Sequence, residues 1–195
     1  MSVLSHRHAL LIDGFGVSAW PARLLLVVGG SLLLWLSAKV HVPFYPVPMT
    51  FQSMVAIMIG MAFGPRLGAA TVLLYLAEGA VGMPVFSGTP ERGIGLAYMS
   101  GPTGGYLLGF VLAAFGTGLL AQHGFGRTIL STALAMAVGI MLIYLPGLLW
   151  LGVLFGWDSA ILELGLWPFL TADLAKLLLA ACLMPGIWAL ARRFR

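Results

Sequence analysis

Long apolar stretches, interrupted by Pro, Gly and isolated charges, set the pattern of the chain. Apolar runs of about 17–25 residues suit helices that cross a bilayer. Their breaks predict six helices near 21–40, 50–64, 66–80, 104–122, 128–150 and 167–191. The second and third are short, and "FGPRLG" between them predicts a tight turn at Gly64 and Pro65. Connections on one side of this arrangement are short turns. On the other side lie two longer segments, "HVPFYPVPMT" (41–50) and "VGMPVFSGTPERGIGLAYMSGPTGGY" (81–106).

Charge gives the arrangement a direction. Arg7, Arg23, Arg66, Arg127, Arg192, Arg193 and Arg195 fall on the side of the short turns, with Asp13 the one acid there. Glu78, Glu91, Asp158, Glu163 and Asp173 fall in the opposite half, where the basic residues are Lys39, Arg92 and Lys176. The positive-inside rule makes the arginine side cytoplasmic, with both termini there and residues 1–20 as an N-terminal tail.

Composition agrees with a membrane solvent. The 195 residues are 61% hydrophobic and 8% charged, with a mean hydropathy of +1.03; a soluble domain carries about 25% charged residues. The chain reads as one all-α integral membrane domain, 1–195. A net charge of +4 without a basic stretch beside a soluble fold argues against nucleic-acid binding. One cysteine, Cys182, allows no disulfide framework and reads as a packed core residue. The N-terminus "MSVLSHRHALLIDGFG" lacks an apolar run followed by a small-residue cleavage site, so the first long apolar run is expected to be retained.

The two longer outer segments are rich in Pro, Gly and aromatics and nearly free of Lys and Glu. They are expected to fold back onto the helix ends, because non-helical backbone at that depth needs cover from protein or a water-filled cavity. They would then be the rim and lid of a cavity open to the outside; interfacial loops with aromatic anchors are the alternative.

Asp173 and Lys176 are the central anomaly. They stand three residues apart in "PFLTADLAKLLLAAC" and share one helix face. Pro168 suits the first turn of that helix, which puts the pair one to two turns below the outer surface. Ionisable residues at membrane depth mark ligand sites by default, although a structural ion pair between helices is the competing reading. Arg92, in "TPERGIG", either pairs with Glu91 or binds a ligand carboxylate bidentately. Thr50 and Gln52 open the second helix, where Gln52 either bonds across helices or faces a cavity. Tyr98 and Tyr106 are either interfacial belt residues or walls of a pocket for a flat ring. Glu78 reads as a solvated residue at an outer helix end. Gly105, Gly109 and Ala113 form a small-xxx-small stripe for close helix contact.

Enzyme chemistry finds little support. "GPTGGY" is not followed by GK[ST], so no phosphate-binding loop is present. His6, His8, His41 and His123 lie in the tail or loops, and no H-E-x-x-H or G-x-S-x-G motif occurs. No metal site or cofactor is expected.

Three stretches resemble the BioY family, the biotin-binding S components of energy-coupling-factor (ECF) vitamin transporters. They are "VPFYPVPMTFQSMVAIMIGMAFGPRLGAATVLLYLAEGAVGMPVF" (42–86), "GPTGGYLLGF" (101–110) and "PFLTADLAKLLLA" (168–180). The family pattern runs from Pro-Val-Pro-hydroxyl-x-Gln through Gly-Pro-x-x-Gly, Gly-x-Pro-x-Phe and Gly-Pro-Thr-Gly-Gly-Tyr to Asp-Leu-x-Lys. This chain departs at Thr171-Ala172-Asp173, where the family usually reads Pro-Gly-Asp. The resemblance implies a six-helix S-component fold that captures biotin from the extracytoplasmic side of a bacterial inner membrane. It implies that Asp173 and Lys176 contact the ligand head and its surroundings, that Arg92 meets the carboxylate, and that loop 41–50, with Pro43, Phe44, Tyr45 and Pro46, is the gate. A membrane coupling protein and ATPase subunits would supply the energy. The family's docking stripe on the first helix is degenerate here, at Gly29, Gly30, Ser37 and Ala38, and homo-oligomerisation is left open. The alternatives are an S component for another vitamin, such as a thiamine type, or a structural membrane scaffold.

Overall fold

Six long helices make up most of the computed structural model, which describes residues 12, 19–157 and 160–191. In chain order the elements are α1 (Trp20–Lys39), β1 (His41–Val42), β2 (Met49–Thr50), α2 (Gln52–Phe63), α3 (Pro65–Ala80) and α4 (Gly95–Met99). They continue with α5 (Gly104–Gln122), α6 (Ile129–Phe155), α7 (Ile161–Gly165) and α8 (Trp167–Ala191). Arg7, Asp13, Asp158, Arg192, Arg193, Arg195, His6 and His8 lie outside the described residues, as does most of the expected N-terminal tail.

Three features differ from the expectation. Residues 41–50 form a hairpin, with His41 opposite Thr50 and Val42 opposite Met49 in an antiparallel ladder. The five-residue helices α4 and α7 stand where loop was expected, because one helical turn leaves no readable periodicity. Helix α6 continues through Pro146 to Phe155, five residues past the expected end, and stops before Gly156 at φ +86°. A mid-helix proline is tolerated in a membrane helix when neighbours satisfy the freed backbone.

Four segments are long and apolar enough to cross a bilayer: Trp20–Lys39, Gly104–Gln122, Ile129–Phe155 and Ile161–Ala191. Helices α2 and α3, at 12 and 16 residues, rise about 18 and 24 Å. That is less than the hydrocarbon core of about 30 Å. Between α1 and α2, and between α3 and α5, lie the hairpin and the segment 81–103.

Close approach of backbones sets the packing. The α5–α6 pair is the most extensive. A Cβ at Gly109 would lie 2.7 Å from the Ile143 Cα, so this position admits hydrogen alone. A Cβ at Gly60 would lie 2.3 Å from the Ala114 carbonyl oxygen, and beside it Thr117 donates to the Ile57 carbonyl at 3.2 Å. The expected stripe of Gly105, Gly109 and Ala113 is therefore buried in real helix contacts. Gly64, at φ +82°, turns α2 directly into α3, as Pro65 begins the next helix.

Polar contacts orient the bundle. The position of Gly118 against Pro65, and of Gly126 near Met61 and Met184, gathers the α2–α3 turn, the α5–α6 turn and the C-terminal part of α8 at one end. Arg66 lies in the first turn of α3 there, and the Arg127 guanidinium lies 4.8 Å from the Trp188 ring centroid. At the opposite end Phe44 packs edge-on against Phe169, Tyr106 donates to the Gly165 carbonyl, and Trp150 donates to Gly101. The loops and the candidate polar residues lie at this second end.

Gly109→Val should cost about 1–3 kcal/mol through overpacking. A clear fall in melting temperature of the detergent-solubilised protein is expected. Gly29→Ala, at a position with no atom within 4 Å of the added carbon, should leave the melting temperature unchanged.

Candidate functional site

Asp173 and Lys176 occupy the second and third turns of α8, whose first turn contains Pro168. Their spacing turns both side chains into the bundle, where they are 6% and 7% exposed. Lys176 Nζ lies 2.8 Å from Asp173 Oδ1 and also donates to the Ser53 hydroxyl at 3.1 Å. From the facing helix α6, the Tyr144 hydroxyl donates to Asp173 Oδ2. A buried ion pair is tolerable when further hydrogen bonds satisfy its remaining donors and lone pairs. An ammonium has three donors and a carboxylate about four acceptor sites. Each group shows two partners here, so each retains capacity for a ligand.

That capacity faces a partly open cavity. Asp173, Lys176, Tyr144 and Ser53 line it, with Thr50 in β2 rather than in the expected second helix, and Gln52 at the start of α2. Leu107, Phe110, Ile140, Ile143 and Phe169 supply apolar walls. Val47 and Pro48 of the hairpin, and Ser87, Tyr98 and Thr103 of the segment after α3, complete it. A flat ring with polar edges and an apolar body fits this mixture of surfaces.

The outer wall is a strap of irregular chain fixed by side chains from the helices. Lys39, the last residue of α1, donates to the Pro84 carbonyl at 2.8 Å, to the Phe86 carbonyl at 3.2 Å and to the Thr89 hydroxyl at 3.3 Å. Gln52 donates through Nε2 to Tyr75 at 2.6 Å, and Tyr75 donates to the Val85 carbonyl at 3.0 Å. Tyr98 donates to the Ser87 carbonyl at 2.9 Å, and burial holds its phenol above the ordinary pKa, so it stays a neutral donor. Phe86 stacks on Tyr98 with centroids 4.8 Å apart and meets Tyr75 edge-on. It fits because residue 79 is glycine: a Cβ there would lie 2.0 Å from the Phe86 ring.

The structure brings most, not all, of the expected residues together. Asp173, Lys176, Thr50, Gln52, Tyr98 and Tyr106 line the cavity. Tyr98 and Tyr106 are buried as well as lining the cavity. Arg92 does not line the cavity. It is exposed, donates to the Phe44 carbonyl at 3.2 Å, and sits in an adjoining cleft that shares Pro48, Tyr98 and Thr103 with the cavity. Pro43, Phe44, Tyr45 and Pro46 also stand outside the lining; the hairpin reaches the cavity through Val47 and Pro48. Glu78 is half-buried and accepts from Ser31 of α1, so it is not a solvated helix end. Cys182 faces outward rather than into the core, because its position on α8 lies away from the buried stripe.

Four polar lining residues escaped the sequence reading: Ser53, Ser87, Thr103 and Tyr144. Tyr144 had a signal, as a lone phenol inside an apolar run must find a partner at membrane depth. Ser53, Ser87 and Thr103 had none, since a small hydroxyl is common in helices and loops alike.

Replacing Lys176 alone by Met should strand a buried carboxylate and destabilise by about 3–5 kcal/mol. Replacing both, as Asp173→Leu/Lys176→Met, should recover most of that loss. Thermal unfolding in detergent measures both variants; equal damage in the two would contradict the pairing.

Comparison with known proteins gives a consistent set of relatives. The model of the BioY family matches residues 11–193. A Pyrococcus horikoshii protein named "Probable biotin transporter BioY" is 39% identical over 139 residues, 71% of this chain and 79% of that protein. The Rhizobium etli biotin transporter BioY is 36% identical over 157 residues, 77% of this chain and 82% of that protein. The crystal structure of an S-component for biotin from an ECF-type ABC transporter superposes with a TM-score of 0.71. It covers 85% of this chain and 89% of that one at 22% identity, and so shows a shared fold.

Proposed function

The chain belongs to the BioY family, and from that premise we propose that it captures biotin from the extracytoplasmic side of the membrane for uptake. The observation that carries the reading is the buried Asp173–Lys176 pair, with bonding capacity left over, facing a cavity beneath an irregular outer strap. Biotin's cyclic urea carries two N–H donors and one carbonyl. Asp173 accepts from the N–H groups while Tyr144 and Lys176 hold its carboxylate in place, and Lys176 has a donor for the carbonyl. The apolar bicycle lies among Phe110, Ile143 and Phe169. The valerate chain runs toward the strap, where Pro48, Tyr98 and Thr103 separate the cavity from the cleft of Arg92. Arg92 acts there as a positive charge behind the wall and as the tie that closes Phe44 over the site.

In this reading all six long helices cross a bacterial cytoplasmic membrane, with both termini inside. Helices α2 and α3 are short because the hairpin and strap occupy the outer part of their depth. The hairpin opens as the gate. The subunit binds and does no chemistry, and a separate membrane coupling protein with ATPase subunits drives release to the cytoplasm. The absence of a G-x-x-x-x-G-K-[ST] motif fits that division of labour.

Asp173→Asn keeps size and burial but loses the charge that strengthens each ligand hydrogen bond. Biotin affinity of the folded variant should fall at least about tenfold by calorimetry, the scale of one charge-assisted bond, and the melting temperature should fall as well, because the Lys176 ammonium loses its buried counter-charge. Undiminished biotin binding by that variant would sink the assignment. Labelled-biotin uptake by cells expressing the chain with and without ECF partner subunits tests the transport part.

A further inference from the structure

Side chains from the helices hold the strap between α3 and α4 by its carbonyls, and one buried hydroxyl within it is unpaired. The carbonyls of Pro84, Val85, Phe86 and Ser87 accept from Lys39, Tyr75 and Tyr98. The Gly88 carbonyl accepts from the Arg92 backbone N–H at 2.9 Å, and the Thr89 hydroxyl donates to Phe86 at 2.7 Å. Ser87 itself is 1% exposed, and its hydroxyl has no partner among the described residues. The same residue lines the cavity. A buried hydroxyl left unpaired is costly, and the surrounding bonds prevent this segment from turning to satisfy it. Ser87 is therefore a donor held at the cavity wall with no protein partner among the described residues.

Its position favours one kind of partner. Ser87 adjoins Gly88, where an added Cβ would lie 2.8 Å from the Arg92 Cδ. The stem of Arg92 thus folds over this part of the strap. Tyr98 and Thr103, which share the cavity wall with Ser87, also line the Arg92 cleft. A positive charge just behind the wall makes this region favourable for an anion. Asp173, the cavity's carboxylate, would repel an anion from its own surroundings.

We propose that the Ser87 hydroxyl is a ligand contact that donates to the carboxylate of the bound molecule and helps the site prefer an acid over its neutral analogue. The proposal rests on biotin being the ligand. Its test uses the full chain purified in detergent, with equilibrium binding of biotin and of biotinol, in which an alcohol replaces the carboxylate. Ser87→Ala should weaken biotin about tenfold or more and biotinol by about threefold or less, the difference between charged and neutral hydrogen bonds. Ser87→Cys, which keeps the volume but donates weakly, should show the same ligand-dependent loss and provides the readout if the alanine variant does not fold. Equal losses for the two ligands, or wild-type biotin binding by both variants, would overturn the assignment of Ser87. If Asp173→Asn loses biotin while the Ser87 variants do not, the Ser87 contact fails and the biotin reading stands. If the wild-type protein binds no biotin, both fall.

Discussion

Backbone that is neither helix nor closed sheet, placed near membrane depth, must find its hydrogen bonds inside the protein. Here that requirement falls on the segment between α3 and α4, and three helices meet it with one side chain each. Lys39 comes from the end of α1, Tyr75 from α3, and Tyr98 from the short α4. The arrangement links bilayer physics to the site. The same bonds that make irregular chain tolerable also present its apolar and hydroxyl groups to the cavity in one fixed geometry. Gly79 belongs to this device, since a methyl group there would evict Phe86 from between Tyr75 and Tyr98.

The ion pair solves a related problem by a different route. Two charges removed from water gain little from each other unless their other bonding sites are filled. Ser53 from α2 and Tyr144 from α6 fill some of them, so α8 is tied to two neighbours at the depth where the cavity opens. The pair is left with bonding capacity rather than saturated. The same four side chains tie the helices together and line the cavity. Their replacement therefore has to be read in both stability and affinity.

Arg92 shows how a charge can serve a site from outside it. The sequence placed a guanidinium in a Gly-rich loop and suggested direct carboxylate binding. The folded chain turns it onto the Phe44 carbonyl, in a cleft separated from the cavity by Pro48, Tyr98 and Thr103. The hairpin tip it holds is the part of the lid that also touches α8, through Phe44 and Phe169.

The sequence by itself determined the apolar segments, their breaks at Gly64 and Pro65, the shared face of Asp173 and Lys176, and the sparse charge of the two longer loops. These follow from periodicity, turn chemistry and the cost of charge in a bilayer, all of which act over a few residues. The small-residue stripe of Gly105 and Gly109 was legible for the same reason. Only the tertiary structure decided what Lys39, Gln52, Glu78 and Ser87 do, because their partners lie 23 to 50 residues away or, for Ser87, are absent from the described protein. It also decided that Tyr144 completes the ion pair and that Arg92 stands behind the wall. A hydrogen bond is set by the position of an atom to within a fraction of an ångström, and in this bundle that position is fixed by packing between helices rather than by neighbours along the chain.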